Sequence, residues 1–121
     1  MIKMIDIVAI SKMEPEKRKM EMQKVLTGMF TLSDSEKIKD MKAMIIAMEN
    51  ATDEEYSELC LTNIGIASTL PDAQLKAFFE LRMKVNSELP SDARERDMKM
   101  IRMALQKEPS DISKKISGMM Q

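Results

Sequence analysis

Histidine and tryptophan are missing from this chain, cysteine occurs once, and glycine and proline number only three and four in 121 residues. Each shortage removes something. Without histidine the commonest general base and the commonest metal ligand are gone. The single Cys60 closes no internal disulfide and makes no paired-cysteine metal motif. So few glycines leave no phosphate-cradling loop and no nucleophile elbow. Strand-forming runs are nearly absent, and the aromatics are Phe30, Tyr56, Phe78 and Phe79 alone. The apolar run at residues 7 to 10 is far too short for a signal-peptide core or a membrane span. Nineteen basic residues against twenty acidic ones give a net charge of −1, so no global field draws the chain to nucleic acid or to an anionic membrane. The expectation is a cytoplasmic protein that leans away from catalysis, with no cofactor and no metal.

What remains is helix-forming material: Met, Lys, Glu, Ala, Leu and Ile. The 44% hydrophobic and 32% charged fractions are those of a packed, soluble chain. The length predicts a single domain over residues 1–121.

Punctuation gives the organisation. Turn signals begin at Met13, Leu32, Ala51, Leu70, Leu89 and Glu108, each nineteen residues after the last. Their chemistry is that of helix starts, where the first backbone N–H groups need acceptors. Ser33 with Glu36, and Thr52 with Glu55, read as capping boxes. Pro15 reads as a first helical residue, and Asp72, Ser91 and Ser110 as N-caps. Between the turns, apolar residues follow i, i+3, i+4, i+7 spacing. They are Met22, Val25, Leu26 and Met29 in the first unit, Met41, Met44, Ile45 and Met48 in the second, and Met98, Ile101 and Leu105, with Arg102 between, in the fifth. Such a unit holds a helix of about fourteen residues, roughly 20 Å long, and consecutive helices must reverse direction. The predicted fold is all-α: an antiparallel array of five to seven short helices from a 19-residue repeat, either a helical-hairpin array or a compact bundle. Residues 1–12 form a partial N-terminal unit, for which a short helix is favoured over an isolated strand without a partner. Residues 109–121 form a partial C-terminal capping unit.

Three features carry functional expectations. In the third and fourth helices polar groups occupy the core columns, so Tyr56, Cys60, Asn63, Arg82 and Asn86 are candidates to face one another across a polar notch that binds an anionic group or peptide. The plainer reading, which the sequence favours, sends Arg82 out to water along its methylene stem. Fifteen methionines recur at MxM and MxxM spacing, and thioethers select Cu(I). Flexible core filling explains most of them better, and no tight copper site is expected. Finally, Ile46, Met100, Met103, Met119 and Met120 lie away from the predicted stripes and mark a partner surface at the C-terminal helices. No Lys or Arg occurs between Lys42 and Lys76, but the acid there sits largely in one first helical turn, where the helix dipole favours it.

The leading expectation is a non-catalytic helical-repeat module that binds a protein partner or pairs as a homodimer. A small-ligand or Cu(I)-binding bundle is the alternative, and a small enzyme lacking histidine the third.

Overall fold

The computed structural model describes residues 6–108 and 110–119, all helices and turns without a strand among them. The elements are α1 (Ile7–Ser11), α2 (Pro15–Met29), α3 (Asp34–Ala47) with a 3₁₀ turn at Met48–Asn50, α4 (Asp53–Ala67), α5 (Asp72–Ser87), α6 (Ser91–Lys107) and α7 (Ser110–Met119). The protein is a small all-α bundle, and its N-terminal segment is helical from Ile7, with Asp6 accepting from the Ala9 N–H at 3.0 Å. Ile2 and Ile5, which belong to the same expectation, lie outside the described residues.

From α2 to α6 every helix begins within two residues of its expected start. Lengths and caps are not uniform. Thr52 and Glu55 form the full reciprocal box, at 3.1 and 2.9 Å. Ser33 accepts from the Glu36 N–H at 3.3 Å, but the Glu36 carboxylate takes the Ser33 hydroxyl at 2.9 Å instead of reaching back to the backbone. Asp72 and Ser91 are not caps: Pro71 and Pro90 occupy the cap positions in extended backbone, leaving both as first helical residues. The helices therefore begin where expected but differ in how they are capped and how far they run.

The closest packing is between alternate helices, α4 with α6, α2 with α4 and α3 with α5, while α1 seats against α2, α3 and α4 and α7 touches α5. Tyr56, early in α4, meets Asp97, early in α6, whereas Asn86, late in α5, also meets Asp97. Alternate helices thus run the same way and consecutive ones oppositely, as short turns require. One hydrophobic cluster extends from Ile7 to Ile116.

The expected stripes hold for Met22, Leu26, Met29, Met41, Ile45 and Met48, all buried. α6 is the exception. It turns Asp97, Met100, Ile101, Ala104 and Leu105 inward and leaves Arg102 exposed and Met98 half-buried. A buried carboxylate with helical partners fixes that rotation, and it forms the candidate site.

Candidate functional site

On α4, Tyr56, Cys60 and Asn63 fall at i, i+4 and i+7, one stripe of the helix. On α5, Arg82 and Asn86 lie one turn apart, and α6 supplies Asp97 between them. All six are buried, and Asp97 is fully so. The Arg82 guanidinium holds the Asp97 carboxylate with two bonds, Nε to Oδ2 at 3.1 Å and Nη2 to Oδ1 at 2.7 Å. The Tyr56 hydroxyl donates to Oδ1 and the Asn86 amide to Oδ2. Four donors from two helices converge on one carboxylate of a third. Cys60 Sγ lies 3.9 Å from Arg82 Nη2.

The electrostatics follow from this geometry. Burial alone works to raise the Asp97 carboxyl, but the adjacent guanidinium and the donors outweigh it and hold it below its ordinary value. Tyr56 is pushed up, first by burial and then by the negative charge of Asp97. Burial also opposes the charge on Arg82, and the neighbouring carboxylate more than restores it. The Cys60 thiol is pushed up to about 11 by burial, against the opposing pull of the Arg82 guanidinium. At neutral pH the cluster is therefore an ionised Arg–Asp pair flanked by a neutral phenol, amide and thiol. With its carboxylate saturated by donors, it ties three helices together and offers no free base.

The structure brings together all five residues expected at a polar notch, and corrects the favoured orientation of Arg82. Its side chain does not escape to water, because Asp97 meets it in the interior. Asp97 was not among the candidates. Its signal lay in the fifth unit, as the acid three and four residues before the core pair Met100 and Ile101.

Two amide oxygens stay unmatched among the described residues, Oδ1 of Asn63 and Oδ1 of Asn86. Asn63 lines a small pocket of about 40 Å³ whose walls are methionines and other apolar side chains together with Tyr56, Cys60 and Arg82. No group of three or more Cys, Asp or Glu converges as a metal site among the described residues, and no helix there is long and apolar enough to cross a membrane.

The expected partner surface fares differently. Met100 is completely buried, because the rotation that seats Asp97 carries it into the core, and Met103 is half-buried against the same cluster. Met120 and the Met119 side chain lie outside what is described. Ile46 is 40% exposed, as expected. The exposed apolar residues that sequence reasoning missed are Met20, 59% exposed on α2, and Phe30, 41% exposed at its end. The Phe30 ring centroid lies 6.4 Å from that of Phe78, and the Lys37 ammonium sits 6.0 Å from the ring centre. Open grooves flank it on both sides. One, of about 390 Å³, runs along Asp34, Lys37, Gln74, Ala77 and Leu81; the other, of about 370 Å³, is lined by Gln23, Leu26, Thr27, Ile66, Ala67, Leu70 and Phe78. No family model matches the chain, and no curated protein or solved structure matches it.

Proposed function

We propose that the chain is a non-catalytic interaction module of helical-repeat type, working in the cytoplasm, which pairs with a second copy of itself through the face around Phe30. One observation carries this reading: a half-exposed aromatic ring, next to Phe78 and Lys37, stands between a largely apolar groove and a second groove that mixes Ala77 and Leu81 with Asp34, Lys37 and Gln74. A knob next to a groove is self-complementary under a two-fold axis, since each ring then enters the groove of the other copy. The polar interior supports the same reading from the other side, because its one carboxylate is committed to holding helices.

Energetics set the strength. Phe30 is only 41% exposed, so completing its burial contributes about 0.6–1.2 kcal/mol per ring, and because association costs at least about 4 kcal/mol in lost freedom the rest of the face must supply the balance and the pairing is weak and concentration-dependent. Sedimentation equilibrium across a concentration series tests it. Wild-type protein should move from monomer toward dimer, and Phe30→Glu should stay monomeric with helicity unchanged. A wild-type chain that remains monomeric at the highest concentrations, or a dimer indifferent to Phe30→Glu, overturns the proposal.

A further inference from the structure

Among the methionines whose burial is described, from Met13 to Met103, Met20 alone is exposed, at 59%. Met22, in the same turn of α2, is 1% exposed and belongs to the core. Core filling accounts for Met22 and Met29 but not for Met20, which lies opposite their stripe at about 100° per residue. Its neighbours on the outward face, Glu16, Lys17, Gln23, Lys24 and Thr27, are polar and exposed. Met20, Gln23, Thr27 and Phe30 follow at i, i+3, i+7 and i+10 along α2 and its C-cap, and Gln23 and Thr27 line the groove beside Phe30. Met20 and Phe30 are thus about 15 Å apart along the helix, a span that an ordinary interface of about 800 Å² per partner covers. Phe30 alone does not offset the cost of association, and Met20 is the exposed apolar side chain on the same helix that can add to it.

We propose, resting on the pairing read at the Phe30 face, that Met20 is a peroxide-sensitive modification site whose oxidation to the sulfoxide weakens the pairing of two copies. A sulfur lone pair attacks one oxygen of hydrogen peroxide, and the S–O bond forms as the O–O bond breaks. The departing hydroxide takes the proton of the transferred oxygen and leaves as water, so the thioether loses two electrons and the peroxide gains them. The reaction needs accessible sulfur, and among the described methionines the monomer offers it most fully at Met20. The product is a polar group that loses hydration when pressed against a partner's apolar surface, so oxidation favours the monomer. Linkage requires the converse, that pairing shields Met20 from the oxidant.

Brief hydrogen peroxide treatment of the full chain, followed by tryptic fragment mass spectrometry, reads the modification. Met20 and Met22 fall in one fragment, Met20–Lys24, so each serves as the other's comparison. In the native monomer Met20 should oxidise at least about tenfold faster than Met22, and in urea the two should react alike. The Met20 rate should fall as the protein concentration rises through the dimer range. Sedimentation equilibrium on the chain oxidised at Met20 should show a dimer Kd raised about fivefold or more. Methionine sulfoxide reductases with dithiothreitol should restore pairing. Because leucine is close to methionine in volume, Met20→Leu should pair like the wild type and lose the response to peroxide. Equal oxidation of Met20 and Met22 in the native chain overturns the proposal. So does a dimer sensitive to Phe30→Glu but indifferent to oxidation, an outcome that leaves pairing at Phe30 standing, whereas a wild-type chain monomeric throughout removes both.

Discussion

Replacing Asp97 by alanine removes the acceptor on which α4, α5 and α6 converge. The Arg82 guanidinium would lose both of its bonds to the carboxylate while staying buried, and its remaining neighbour in that direction, the Cys60 sulfur, is a weak acceptor. Breaking a buried ion pair from one side costs about 3–5 kcal/mol, because the surviving charge is left uncompensated. Tyr56 and Asn86 lose an acceptor as well. These losses share one group and do not add fully, so the pair figure serves as the estimate. Against a total stability of about 5–15 kcal/mol, the variant should sit close to unfolding. Urea denaturation followed by helical circular dichroism measures it, with a midpoint far below that of the wild type and a similar slope. Replacing the pair together, Arg82→Met with Asp97→Leu, should recover much of the loss, since no charge is then stranded. An Asp97→Ala chain within about 1 kcal/mol of wild type would refute the reasoning, as that is an ordinary effect for any substitution.

Acid should act through the same carboxylate. The folded state holds Asp97 below its ordinary value of 3.8, so its contribution is complete above that value and drains away as the pH falls through the lower folded one. Urea midpoints should fall below about pH 4, and Asp97→Asn should show a shallower fall. Cys60, pushed up to about 11 and buried, should resist alkylation by iodoacetamide at pH 8 in the native chain and react once urea unfolds it. Arg96 donates to the Met48 and Ala51 carbonyls at 2.9 and 2.7 Å, pairs with Asp53 and lies 5.0 Å from the centre of the Tyr56 ring. Arg96→Lys should lose about 1–3 kcal/mol, because an ammonium cannot reproduce the planar fork, with faster amide exchange at the start of α4.

Helix positions were legible because local chemistry decides them. Proline cannot continue a helix and Thr52 with Glu55 satisfies its own N-terminus, so the starts need no knowledge of tertiary contacts. Helix rotation was legible where apolar residues dominate a stripe, as in α2 and α3. It failed in α6, where Arg102 stood on the projected core face and Asp97 beside it; pairing across α5 and α6 settled which charge goes inside. The polar notch was half-readable for the same reason. Tyr56, Cys60, Asn63, Arg82 and Asn86 announce themselves by interrupting apolar columns, but the partner that makes their burial tolerable lies on another helix. Phe30 was invisible because it follows the last turn of α2, and its exposure depends on how the α2–α3 turn passes over α5.

The central claim is that two copies meet with Phe30 of one in a groove of the other. Isotope-filtered NOE spectroscopy on an equimolar mixture of unlabelled chain and chain carrying ¹³C-labelled leucine methyls observes that contact directly. Intermolecular cross-peaks from the Phe30 ring to Leu81 or Leu70 methyls are predicted, and they should vanish on dilution. Intermolecular peaks confined to other surfaces, or none at concentrations where sedimentation finds dimers, would contradict the account.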